Sequence, residues 1–171
     1  MLQTSKTTMN TQELEKEFTQ MILDHRQIIF KVCYIYTTDD YTIEELSQEC
    51  LLNLWRAYPR FRSESKPSTW IYRVAMNTCI SYMRHTSSRP QMTALPFDLQ
   101  SEIEADGDRA YYLRELYAMI NRLGKLERAL ILLWLEDRNY SEIADILGIS
   151  KSNVGVLLHR TKEKLKAMSN Q

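Results

Sequence analysis

Tyr140-Ser-Glu-Ile-Ala-Asp-Ile-Leu-Gly-Ile-Ser150-Lys-Ser-Asn-Val-Gly-Val-Leu-Leu-His-Arg160 is the stretch on which the fold turns. Ile143, Ala144 and Leu147 recur at the spacing of one helix face, and Ala144 is small where a second helix must approach. Gly148 supplies the left-handed backbone that ends a helix, Ile149 fills the corner, and Ser150 caps the next helix. In that second helix Val154, Leu157, Leu158 and Leu165 face inward, which leaves Lys151, Ser152, Asn153, Gly155, His159 and Arg160 outside, with Lys162, Lys164 and Lys166 as a basic tail. A helix-turn-helix of this kind is expected to set the start of its second helix in the major groove and its cations on phosphates. Purely structural helical hairpins share parts of the pattern; the combination of turn, cap and basic tail favours duplex DNA.

Upstream of this unit apolar residues recur at intervals of three and four, so the chain reads as all-α. One long segment carries Leu14, Phe18, Met21, Ile22, Ile28, Ile29, Val32 and Cys33 on a single stripe, opened by Asn10 and Glu13 as a capping pair. A second helix begins at Thr42 with Glu45 three residues on and buries Ile43, Leu46, Cys50, Leu51 and Leu54 before Pro59. A third comes after Pro67, with Ile71, Val74, Ala75, Thr78, Cys79 and Tyr82 inward and Trp70, Arg73, Asn77 and Arg84 turned elsewhere. The pattern lapses from about residue 86 to 108 into Ser, Pro and acidic residues, the composition of a flexible linker. Leu113, Leu116, Tyr117, Ile120 and Leu123 then resume a helix that Gly124 interrupts before another runs from Leu126 to about Glu136. The expectation is two small helical domains, 10–85 and 109–168, joined by the linker 86–108.

The chain of 171 residues has no apolar run able to cross a bilayer, and its polar start lacks the apolar core of a signal peptide, so a cytoplasmic location is expected. Cys33, Cys50 and Cys79 are widely spaced and odd in number, which indicates neither a disulfide framework nor a zinc site but small buried hydrophobes. No catalytic set is evident: the three histidines are scattered, with no carboxylate pair or Gly-rich phosphate loop, and no metal or other cofactor is expected. The formal net charge is zero, yet residues 51–95 hold 7 Lys and Arg against 1 Asp and Glu, whereas residues 1–50 hold 4 against 9. A neutral total therefore hides a basic middle segment suited to nucleic acid.

The segment from Glu44 through Trp55 and Tyr58 to Arg62, followed by Lys66 to Asn77, closely resembles region 2 of bacterial RNA polymerase sigma factors, and the helix-turn-helix resembles their region 4. Occurring in that order over residues 12–168, the two resemble the small extracytoplasmic-function class of the sigma-70 family. The resemblance implies a factor that binds core RNA polymerase and directs promoter-specific initiation. Glu45, Gln48, Glu49, Asn53 and Trp55 would dock on the clamp coiled coil of the largest subunit, with glutamate at 45 where the family pattern has aspartate. Region 4 would meet the flap and read the minus-35 duplex through Lys151, Ser152, Asn153, Gly155, His159, Arg160 and Lys162. Arg60, Phe61, Arg62, Lys66, Ser68, Thr69, Trp70, Arg73 and Asn77 would melt the minus-10 element and capture a base. Their chemistry suits a single strand, since cations hold phosphates, aromatic rings stack bases and hydroxyl or amide groups read an unpaired edge. An anti-sigma factor is a further partner that the resemblance implies. On the residues alone, a helix-turn-helix regulator acting without polymerase is the other reading.

Overall fold

The computed structural model describes residues 10–38, 42–85 and 107–170; the polar N-terminal residues and nearly all of the expected linker lie outside them. Eight α-helices occur among the described residues: α1 (Thr11–Asp24), α2 (Arg26–Tyr36), α3 (Ile43–Ala57), α4 (Pro67–His85), α5 (Gly107–Asn121), α6 (Lys125–Leu135), α7 (Tyr140–Leu147) and α8 (Lys151–Ser169). A single 3-10 turn, Tyr58–Arg60, follows α3, with Pro59 inside it. No strand is present among these residues, as the all-α reading requires.

Local signals explain most of the boundaries. Thr42 and Glu45 form a reciprocal capping box, the Glu45 N–H donating to Thr42 Oγ1 at 3.1 Å and the Thr42 N–H to Glu45 Oε2 at 3.0 Å. Asn139 and Glu142 do the same at the start of α7, a pair that the sequence reading passed over. Gly148 closes α7 in the left-handed region at φ +67°, and Ser150 caps α8 by accepting from the Asn153 N–H at 3.2 Å.

Three expectations fail. The first stripe is not one helix but two, broken at His25, whose ring nitrogen Nδ1 lies 2.9 Å from the Met21 carbonyl. The Asn10 side chain makes no capping bond, so the Asn10–Glu13 pair does not form. Leu51, expected inside, is 38% exposed, because α3 turns Ile43, Leu46, Cys50 and Leu54 to the core and 51 lies about 100° round from 50.

Helices α2, α3 and α4 pack into one bundle and α5 to α8 into another, and the two are in contact. Ile29, Val32, Leu46, Ile71 and Met76 of the first share a continuous buried cluster with Ile120, Leu130, Leu133, Ile143 and Leu158 of the second. Polar links cross the same boundary. Lys31 Nζ lies 2.7 Å from Glu136 Oε1, Tyr36 donates to the Lys125 carbonyl at 2.7 Å, and Arg128 donates to the Ile35 carbonyl at 3.1 Å. None of the described helices is long and apolar enough to cross a membrane.

Candidate nucleic-acid interface

Three surfaces collect the expected residues. On α3, Glu45 and Gln48 are exposed while Glu49, Asn53 and Trp55 are half-buried. Several of these side chains already have internal work: Glu45 completes the capping box, Asn53 Nδ2 donates to Thr78 Oγ1 on α4 at 3.2 Å, and Trp55 meets Phe18 of α1 edge-on at 5.1 Å. What α3 leaves open is Gln48 beside Leu51 and Leu52, the latter 42% exposed. Residues 48, 51, 52 and 55 follow the spacing of one helix face. This half-apolar stripe suits a protein surface better than an acidic face would, and the sequence reading missed it by placing Leu51 in the core.

The second surface is the turn after α3 and the first turns of α4. Pro67 opens α4 at a position where the missing N–H costs nothing. Arg60, Arg62, Lys66, Arg73 and Asn77 are exposed, and Ser68 and Trp70 are half-buried. Phe61 and Thr69 are each only 7% exposed. Phe61 therefore does not present the open aromatic face expected of it: its ring lies 4.7 Å from that of Trp70 at 31° and is stacked with Tyr58. Its ring supports that of Trp70. A cavity of about 550 Å³ is lined by Arg60, Arg62, Trp70 and Arg73, with Phe61, Glu64, Ser65 and Asp145 also on its wall. Three guanidinium groups around an aromatic ring are the donor set for a flat, anionic ligand such as a nucleotide.

This cavity lies against the second bundle. Arg73 donates to the Asp145 carbonyl of α7 at 2.7 Å, and Lys66 Nζ stands 3.7 Å from Glu142. Tyr72 donates to Glu136 at 3.4 Å, and the Arg138 guanidinium sits 5.2 Å over its ring. Burial and the Glu136 carboxylate push the Tyr72 hydroxyl up to about 12, so it stays a donor at neutral pH.

The third surface is the outer face of α8. Lys151, Ser152, Asn153, His159 and Arg160 are exposed there, as expected. Two expected members stand beside neighbours within the chain. A Cβ at Gly155, which is half-buried, would meet the Tyr140 ring of α7 at 3.5 Å. Lys162 folds back, its Nζ 3.8 Å from the centre of the Trp134 ring. Lys164 likewise pairs with Glu127 at the start of α6. Burial opposes ionisation of Glu127, but the Lys164 ammonium and the Gly124 N–H outweigh it and hold the carboxyl below its usual range. Val156, 49% exposed in the middle of the outward row, is an apolar side chain among polar ones that the sequence reading did not include. Its signal in the sequence was a valine two places beyond the inward 154.

The surfaces coincide with matches to known proteins. Residues 21–89 match the family model described as Sigma-70 region 2, and residues 113–165 match Sigma-70, region 4. A probable RNA polymerase sigma-C factor of Mycobacterium bovis is 30% identical over 137 residues, covering 77% of this chain and 72% of that one. The extracytoplasmic-function factor SigM of Bacillus subtilis is 27% identical, covering 84% of this chain and 89% of that protein. SigG of Mycobacterium tuberculosis is 27% identical over 91% of this chain, and the chain spans half of its length. Two solved structures share the fold. CnrH, in complex with the cytosolic domain of CnrY, superposes with a TM-score of 0.66 at 15% identity, covering 97% of this chain and 92% of that one. RpoE, in complex with the anti-sigma factor NepR from Bartonella quintana, gives 0.67 at 18% identity, covering 91% and 98%.

Proposed function

From the premise that this chain belongs to the sigma-70 family, in its extracytoplasmic-function class, we propose that it binds core RNA polymerase and directs promoter-specific transcription initiation. The observation that carries this reading is positional: the two matched regions, in order, bear the cavity at the start of α4 and the polar outer face of α8. The α3 stripe with Gln48, and with Glu45, Glu49, Asn53 and Trp55 around it, docks on the clamp coiled coil. The second bundle meets the flap. Lys151, Ser152, Asn153, His159 and Arg160 then read the minus-35 duplex, while the Arg60, Arg62 and Arg73 cluster holds the minus-10 strand and Trp70 stacks a base. A stacked base contributes about 1–3 kcal/mol, comparable to the cost of unstacking it, so capture holds a bubble that thermal opening alone would lose.

In this reading the chain performs no catalysis of its own, acts in the cytoplasm, and is held inactive by a regulator of the anti-sigma kind. Residues 10–85 and 109–168 work as separate domains. Elements centred about 25 base pairs apart are on the order of 80 Å apart along the duplex at a rise of about 3.4 Å. Two bundles in contact do not span that, so they separate on the promoter, with residues 86–106 contributing at most about 70 Å of fully extended chain. Mixing the purified protein with core polymerase and a promoter library tests the proposal. It expects a stable complex and defined start sites, with Trp70→Ala keeping minus-35 duplex binding but losing permanganate reactivity of the opened thymines. Duplex binding without any polymerase complex would instead favour a regulator acting alone.

A further inference from the structure

Cys33 on α2, Cys50 on α3 and Cys79 on α4 have no exposed surface. Their three sulfurs lie within 4.8 Å of one another, with Cys50 Sγ 3.7 Å from each of the other two. Separations of 17 and 29 residues conceal this meeting in the sequence. Three thiolates about 2.3 Å from a shared centre stand about 3.4–4.0 Å apart, from a pyramidal to a planar centre, so two of the three separations already have the size of a thiolate cage.

The chemistry of the surroundings restricts the occupant. Among the described residues the ligand group has three members, all sulfur, without the fourth nitrogen, sulfur or carboxylate donor that a closed zinc centre takes. Three thiolates leave zinc(II) with one net negative charge and copper(I) with two. Among the described residues, the Glu49 carboxylate acts on this cluster with the same sign, and an uncompensated charge in a dry core is costly. A trivalent metalloid leaves none.

We propose that Cys33, Cys50 and Cys79 form a three-sulfur site for a trivalent thiophilic metalloid of the arsenite class. Each thiol gives its proton to one hydroxide of arsenous acid, which leaves as water. Three As–S bonds replace three As–O bonds, nothing is oxidised or reduced, and the product is neutral. The finished adduct cross-links α2, α3 and α4 at the centre of the bundle that carries both the α3 stripe and the α4 cavity. Because the sulfurs are covered, entry awaits local opening of the bundle and is slow.

The test incubates the full chain with sodium arsenite to equilibrium, followed by native mass spectrometry, thiol titration after denaturation, and thermal melting. The expected result is one arsenic per chain with loss of three protons, disappearance of all three titratable thiols, and a raised melting temperature. Cys33→Ala, Cys50→Ala and Cys79→Ala each lose the adduct on dilution, since two sulfurs release what three retain. Cys50→Ser serves in place of any alanine variant whose circular dichroism departs from the wild type. Absence of an adduct, an adduct that survives every single substitution, or stoichiometric zinc(II) binding with arsenite excluded would each overturn the proposal.

Discussion

Replacing Lys31 by methionine separates two forces that normally act together. Lys31 lies outside the three candidate surfaces; its ammonium contacts Glu136 at 2.7 Å across the boundary between the bundles, with the two side chains 30% and 26% exposed. Methionine keeps the apolar stem and removes the charge. A pair this accessible is partly screened, so its loss costs the closed arrangement about 1 kcal/mol, on the order of a fivefold shift toward separated bundles. When the open form is minor, apparent affinity for any ligand of that form rises by the same factor. A labelled single-stranded minus-10 oligonucleotide binding to free protein reads this directly, since Arg73 is held by the second bundle only in the closed form. The sign decides the matter. Removing a cation should weaken binding to a polyanion by simple electrostatics, whereas release of the cavity should strengthen it about fivefold. Weaker binding by Lys31→Met, with the same salt dependence as the loss of any surface lysine, refutes the idea that bundle contact masks the cavity.

Other expectations concern the second bundle. Exchanging minus-35 thymines for deoxyuridine should cost the wild type about 0.8 kcal/mol, roughly three- to fourfold, at the one position where Val156 touches a methyl group, and nothing in Val156→Ser. Equal sensitivity of both proteins in a binding titration would remove Val156 from the reading set. Gly155→Ala should leave duplex affinity unchanged and be neutral to stabilising by up to about 1 kcal/mol, because helix propensity improves and the added carbon meets Tyr140 at an ordinary distance. Gly148→Ala, in contrast, should lose about 1 kcal/mol, as its left-handed backbone disfavours any side chain even in open space; calorimetry compares the two. For Glu127, whose carboxyl is depressed in the folded chain, the stabilisation is complete above the unfolded carboxylate value near 4.5 and is lost as pH falls through the lower folded value. Melting of the wild type should therefore decline more steeply than that of Glu127→Gln below about pH 4.5, and parallel curves would exclude the Lys164 pairing as the cause.

Features governed by near neighbours in the chain were legible in the sequence. Gly148 and Ser150 announce the turn and the cap because each acts within a few residues, and Thr42 with Glu45 does the same for α3. The break at His25 was written there too, though less loudly: the stripe runs from Ile22 to Ile28 with a histidine at the intervening apolar place. Leu51 shows the limit of counting apolar residues, since it lies beyond the edge of the face that Ile43, Leu46, Cys50 and Leu54 turn to the core. Lys31 and Glu136 are 105 residues apart, and no periodicity brings them together. Phe61 is largely enclosed for a related reason, as only the folded turn brings Tyr58 and Trp70 against it. Of the interface, then, residue types were readable and their internal commitments were not.

The hold on Arg73 ends on a main-chain carbonyl, and that choice of acceptor divides two properties that a carboxylate would have joined. Every residue type offers the same carbonyl at position 145, so drift there cannot release the guanidinium while α7 keeps its path. The Asp145 side chain is free to change in sign or size without touching that bond. Evolution can thus alter the charge beside the closed cavity without loosening what keeps it shut.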